Sequence, residues 1–385
     1  MVSLNPSADA LATPLFLSID AGVAEYRACL LDARLDVVAV ECVDLDADLP
    51  EFGTRDGVHT LGDRVTAPAQ LRLRALDLLL EKLATHARPA GLLRRVVAVS
   101  GAAPPGVLHY LLPAFEPLLA SLDHSADRRI SDVLSPPLSF AVAAPASAAD
   151  SSAAPQVRQL EAHFGRRSLA TCPAPNPSSA PASTSSPSSS SSSATSYSLA
   201  ASTRHLSTLS AGRQYFASKT GSSLSSHSPA ARLLQLRHHD DTGVSTGEIE
   251  VGRRVLERCS TIVTESALLS SVLTGRQVVP RVLRPVSLVL SGLAPIDAAD
   301  ACSTNLFDLV ERDWSNEILD FVARGSFDHD VERDEGRQVR IDELRKKLGT
   351  VEPDGGRPLG TVSSYLVERF GFSPGTSHPP PSPVQ

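Results

Sequence analysis

Three apolar runs open the chain: LFLSID over residues 15–20, RACLLD over 27–32 and VVAVECVDL over 37–45. Their close spacing and short polar connections predict an antiparallel meander of three strands. The rhythm then lengthens. Leu76, Leu79, Leu80 and Leu83 recur at helical spacing, which predicts a helix over residues 68–86 with one apolar face and Pro68 in its first turn. RRVVAVSGAAPPG, residues 94–106, reads as a buried strand running into a Gly/Pro turn. Further on, residues 257–275 and the run DWSNEILDFV read as helices, and residues 359–372 as an amphipathic segment. The alternately acidic and basic residues 328–347 read as an exposed charged helix.

Composition divides this pattern. Residues 141–205 are rich in Ser, Ala and Pro and include SPSSSSSSSATS. They offer too little apolar surface to offset chain entropy and are expected to form a disordered insert. The tail, residues 373–385, is polar and Pro-rich and is expected to fray. One folded unit is therefore expected, built from residues 1–140 and 206–372. The net charge of -7 excludes nucleic acid as the main partner. No apolar run is long enough for a membrane span. The five cysteines form no C-x-x-C pair, and with the absence of a secretion signal they point to reduced thiols and a cytoplasmic location. Cys29 and Cys302 lie in apolar surroundings and are expected to be buried packing residues. His238, His239, Asp240 and Asp241 are adjacent and read as a solvated loop, so no metal site is assigned.

The segment DLDADLPEFGTRDGVH, residues 44–59, resembles the D-x-D-L-P-E-[FY]-G-T-x-G-G-V-H signature of eukaryotic-type xylulose kinases in the FGGY carbohydrate kinase family. ALDLLLEKL, residues 75–83, and APIDAADACSTN, residues 294–305, resemble two further family segments, and residues 352–375 resemble the junction before the family's lobe crossover. These stand in family order. The resemblance implies an α/β fold: the ribonuclease H-like (actin-like ATPase) lobe of the FGGY kinases, with disordered insertions. It also implies an ancestral reaction, ATP- and Mg²⁺-dependent transfer of a phosphoryl group to D-xylulose.

The residues that would carry this chemistry are altered. The family's catalytic aspartate, in a G-D-N motif, would lie beyond Gly375, so no catalytic residue is assigned, and LGTVSS at residues 359–364 is not the family's phosphate loop. The family phosphate turn D-x-S-T-Q-Q-x-K reads DAGVAEYR here, keeping only Asp20 and Gly22 as relics of a cofactor-binding turn. The sugar-binding turn S-G-[AS]-G-Q-Q-H-G reads SGAAPPGV, so Pro104, Pro105 and Gly106 stand where Gln-Gln-His would bind the sugar. Arg213 falls in the T-G-S-R-A-Y element, and Arg72 stands at a family Trp. The W-x-D or M-D-S-S-T segment shows no Trp and only Asp150 nearby. His109 is expected to be structural or solvent-facing.

These changes argue against D-xylulose binding and predict no ATP or Mg²⁺ cofactor for this chain. The leading expectation is a xylulokinase-like chain, truncated and degenerate, that has lost the activity. Alternatives are a regulatory or scaffolding pseudokinase lobe, and an active kinase whose C-terminal lobe is missing from a truncated sequence. A full-length kinase or a second copy is the expected partner, through an exposed lobe face carried by residues 114–122 and 363–372.

Overall fold

The computed structural model describes residues 13–171, 193–238, 255–275, 292–324, 334–352 and 358–378. The meander is present as β1 (Leu15–Ala21), β2 (Glu25–Leu31) and β3 (Val37–Asp44), paired antiparallel in sequence. Burial alternates strictly along β1, with Leu15, Leu17, Ile19 and Ala21 facing inward. Helix α1 (Ala69–Ala87) returns the chain to β4 (Val96–Ala102), which lies parallel to β1. Leu76, Leu79, Leu80 and Leu83 of α1 are all buried on the inner sheet face. Pro68 is the N-cap, one position before the first turn.

Two late strands, β7 (Gly360–Thr361) and β8 (Ser377–His378), complete a sheet in the order β7-β8-β4-β1-β2-β3. The tail expected to fray is thus ordered through His378, and residues 379–385 lie outside the described residues. Its polarity misled because those polar atoms bond to β4. Thr376 donates its hydroxyl to Val96 C=O at 2.8 Å, and the His378 ring nitrogen Nδ1 meets Val99 C=O at 2.7 Å. Both side chains are buried.

A second core packs around β5 (Leu108–Leu111), paired antiparallel with β6 (Thr261–Thr264). The expected helix over residues 257–275 is therefore a strand followed by a shorter helix. Thr261, Ile262, Val263 and Thr264 are all β-branched, and that run suits the ladder. Elements of the second core include α3 (Ala154–Thr171), α4 (Ser193–Thr220), α5 (Pro229–His238), α7 (Asn316–Arg324) and α8 (Asp334–Leu348); α2 (Phe115–Ser121) belongs to the first. Helix α6 (Glu265–Thr274), capped by Thr264, is buried over its whole length and lies against β4. There Gly101 lets the Leu269 side chain lie close over β4, since a Cβ on it would lie 2.7 Å from Leu269 Cδ2.

The expected disordered insert is corrected by α3 and α4. Residues 140–146 form bridges to the first core, and α3 buries Leu160 and Phe164, an i,i+4 pair in the polar stretch PQVRQLEAHFGRRS, which the Ser- and Ala-rich composition of its flanks obscured. Residues 172–192 lie outside the described residues. Helices α3 and α4 cross at two glycines. A Cβ on Gly165 would fall 1.9 Å from Thr208 C=O, and one on Gly212 2.0 Å from Glu161 C=O. Gly165→Ala is expected to cost about 1–3 kcal/mol by forcing the helices apart. Gly336→Ala on α8 meets nothing within 4 Å and should gain about 0.5–1 kcal/mol. Urea denaturation of both variants checks the contrast; equal effects would refute the close crossing.

The two segments expected to form an exposed lobe face are in the core instead. Phe115, Leu119, Leu122, Tyr365, Leu366, Phe370 and Phe372 are buried, and α9 (Ser364–Phe370) docks beside residues 122–128 through Tyr365 Oη, which donates to Arg128 C=O at 2.9 Å. Their apolar faces meet each other, so the pattern that suggested an interface is a packing pattern. The charged segment is helical from Asp334, with Ile341 and Leu344 buried beneath its charges. Cys29 and Cys302 are only half-buried, whereas Cys259 is fully so.

Candidate functional site: a phosphate-type turn and a sugar-type turn on either side of β5

The turn between β1 and β2 holds Asp20, exposed at the end of β1, and Gly22, where a Cβ would lie 2.7 Å from Glu25 C=O. The signature segment of residues 44–59 supports this turn. Gly57, at φ +72°, lies so close beneath it that a Cβ would sit 2.1 Å from Val23 C=O. Gly57 is held by Asp46, whose carboxylate accepts Thr54 Oγ1–H at 2.7 Å, Gly57 N–H at 3.1 Å and Asp56 N–H. The bond from Thr54 keeps the Asp46 carboxyl below its usual range.

Arg72 reaches the same turn from α1. Its Nη1 donates to Gly22 C=O at 2.7 Å and Val23 C=O at 3.0 Å, and its Nε lies 3.5 Å from Glu265 Oε1. Tyr26 Oη donates to Glu265 Oε1 at 3.2 Å, and His109 Nε2 stands 3.9 Å from Glu265 Oε2. Arg72, Glu265, His109 and Tyr26 are all buried. Burial alone would push the Glu265 carboxyl up; the Arg72 charge and the neighbouring His109 and Tyr26 more than offset it and hold it down. His109 is thus buried, which removes the solvent-facing one of its two expected roles.

The sugar-type turn lies across β5. Pro105 is exposed, Pro104 half-buried, and Gly106 adopts φ +83° with a Cβ position 2.4 Å from His227 C=O. None of the three offers a side-chain donor or acceptor. Beyond Gly106 the strand alternates: His109 faces the Arg72–Glu265 cluster, and Leu108 and Tyr110 line a cavity of about 90 Å³ shared with Asp150, Ser152, Arg232 and Gln235. Asp150 is internally satisfied. It accepts Val65 N–H at 2.9 Å, Ser152 N–H at 2.8 Å and the Arg232 guanidinium. Burial raises its carboxyl, and the bonds from Ser152 and Arg232 bring it below the usual range. Arg213 belongs to neither group. It is exposed and pairs with buried Glu161 at 2.8 Å, beside the glycine crossing of α3 and α4.

The structure therefore joins Gly22 to Arg72 and His109, and Gly106 to Asp150, but leaves Arg213 apart. The Arg72–Glu265 pair was not anticipated, and only the family Trp position drew notice to Arg72. Asp150 had a signal, since Asp150-Ser151-Ser152 repeats the D-S-S of M-D-S-S-T. Among the described residues no cluster of His, Cys, Asp or Glu is set to hold a metal ion, and no helix is long and apolar enough to cross a membrane. Of the His238–Asp241 run only His238, ending α5, is described.

No family model matches the chain. Curated proteins do. A xylulose kinase from Schizosaccharomyces pombe is 25% identical over 361 residues, covering 94% of this chain and 48% of that protein. A xylulose kinase from Mus musculus is 26% identical over 361 residues, covering 93% and 47%. The chain is a homologue of the xylulose kinases. It spans about half the length of the curated xylulose kinases it matches. Solved structures agree on the fold. A xylulose kinase from Rhodospirillum rubrum has a TM-score of 0.56 at 12% identity, covering 96% of this chain and 49% of that one. A ligand-bound xylulose kinase from Lactobacillus acidophilus has a TM-score of 0.53 at 12% identity, with 96% and 48% covered. The mixed α/β architecture is that of the FGGY sugar kinases.

Proposed function

We propose that this xylulose kinase homologue keeps the sugar-kinase fold but has lost the ligand-binding side chains of its two turns, and that residues 1–385 alone do not phosphorylate D-xylulose. The observation that carries the reading is the turn at Pro104, Pro105 and Gly106. A polyol site depends on side-chain hydrogen bonds, and its discrimination collapses when the partners are missing. The phosphate-type turn supports the same reading: Val23 and Ala24 carry no hydroxyl or amide, and the carbonyls of Gly22 and Val23 are engaged by Arg72. Phosphoryl transfer rests on positioning and charge stabilisation, which these residues supply poorly.

Purified residues 1–385 with D-xylulose, ATP and Mg²⁺ should give no ADP above the protein-free rate. A turnover proportional to protein concentration, and lost on substituting Asp20 or Arg213, would overturn the proposal. A longer protein with an in-frame G-D-N motif would be tested in the same assay, and it too is expected to bind D-xylulose weakly unless Pro104–Gly106 is restored to Gln-Gln-His.

A further inference from the structure

Strand β3 is an edge of the large sheet, with no further strand beside it among the described residues. Its backbone orientation can be read from one bond. Leu45 N–H donates to Ala24 C=O at 3.0 Å, one step beyond the Glu25–Asp44 pair. In an antiparallel ladder bonded pairs alternate, so Val43, Glu41 and Ala39 bond toward β2, and Asp44, Cys42 and Val40 turn their N–H and C=O outward. An outward row of this kind is a template for another strand.

Here most of the row is occupied. Asp44 N–H donates to Asp48 Oδ2 at 3.0 Å, and Asp48 N–H donates back to Asp44 C=O at 2.9 Å. Lys82 Nζ, reaching from α1, donates to Cys42 C=O at 2.9 Å and to the same Asp48 Oδ2 at 2.7 Å. At the other end the register shifts between Leu30 and Leu31, so Val38 is bulged out of the ladder. Between the bulge and Asp44, Val40 and the Cys42 N–H are left open, too short a stretch for a stable added strand.

We propose that Asp48 and Lys82 form a clasp that prevents β3 from pairing with β3 of a second copy of this chain. A second copy is the fitting occupant because the freed edge is self-complementary. With a twofold axis at Cys42, each Cys42 N–H and C=O meets its counterpart, and Val40 lies opposite Asp44. Exposed Val37 and Val40 add apolar surface beside that contact. The clasp breaks this symmetry by consuming the acceptors at Cys42 and Asp44 and by placing an ammonium group over the edge.

The test is Asp48→Ala/Lys82→Ala in the full chain. Freed of the clasp, it should self-associate about tenfold more tightly than the parent or better. Light scattering reads the mass, and hydrogen exchange should show concentration-dependent protection over residues 40–44. The two Cys42 residues form a hydrogen-bonded pair across the axis, with Cα atoms about 5.5 Å apart and so within disulfide range, and diamide should link the two copies through Cys42. The link should vanish in Cys42→Ser, and the association in a triple variant adding Val40→Lys. Lys82→Met, which leaves the Asp44–Asp48 bonds intact, should give an intermediate association and serves where the double variant unfolds. A folded variant that shows no more association than the parent, or that associates without protection at residues 40–44 and without a Cys42 link, would overturn the proposal.

Discussion

Arg72→Met is expected to destabilise the chain by about 3–5 kcal/mol, because it strands the buried Glu265 carboxylate and removes the donors to Gly22 and Val23. Glu265→Met should cost a similar amount by stranding the guanidinium. The informative result is the double variant. An apolar pair of similar volume removes both charges together, so Arg72→Met/Glu265→Met should recover most of the loss. The turn should not recover with it. With Gly22 and Val23 carbonyls unpaired, amides of residues 21–25 should exchange faster in the double variant even where global stability is restored. Urea melts and hydrogen exchange measure the two effects separately. Strictly additive stability losses would refute the ion-pair account, and unchanged exchange would refute the role of Arg72 in holding the turn.

The pH dependence of stability should contain two opposed terms of similar size. Burial pushes the His378 imidazole down to about 4, against an unfolded value near 6.5. The unfolded chain then binds a proton that the native state refuses. That term is fully present above about pH 6.5 and is lost as pH falls toward 4, a loss of about 3 kcal/mol. Asp297 runs the other way. Burial, aided by the nearby Asp300 charge, raises its carboxyl to about 6 despite the bond from Asp300 N–H. Here the native state keeps the proton longer, so stability is greatest below about pH 3.9 and declines by about 3 kcal/mol as pH rises through 6. Between pH 4 and 6 the two nearly cancel. Asp297→Asn, which keeps the cap acceptor for α-helical residues 298–303, should flatten the declining term and gain stability relative to the parent as pH rises. His378→Gln should lose less than the parent on acidification. Melting both variants from pH 4 to 7.5 decides it, and profiles parallel to that of the parent would remove both assignments.

Much of the first core was legible because its signals are local. The inward alternation of β1 and the leucine spacing of α1 are set by neighbours in sequence, and the structure follows them. The second core was less so. Leu160 and Phe164 sit in a short stretch, PQVRQLEAHFGRRS, flanked on both sides by Ala-, Ser- and Pro-rich runs whose composition reads as disorder, yet two glycines bring α3 and α4 together and make those few apolar residues sufficient. At the site, the loss of side chains at Pro104–Gly106 could be read directly, since it is a property of residue types. The engagement of Gly22 by Arg72, itself paired with Glu265, could not. It depends on α1 and α6 converging from distant parts of the chain, and neither residue carries a local pattern that announces a buried charge.

The late arrival of β8 puts a clock on the sheet. Ser377 bonds across 280 positions of sequence to Val97 on β4. At ribosomal speeds of about 5–20 residues per second, roughly 15–60 s separate the synthesis of the two strands. Throughout that interval β4 has β1 on one side and no other described strand to pair with on its far side, so that edge waits unpaired, with Val97 exposed even in the finished fold. A growing polypeptide in that condition is open to wrong pairing with its neighbours on the same message, and the final quality of the fold rests on what shelters β4 until His378 is made.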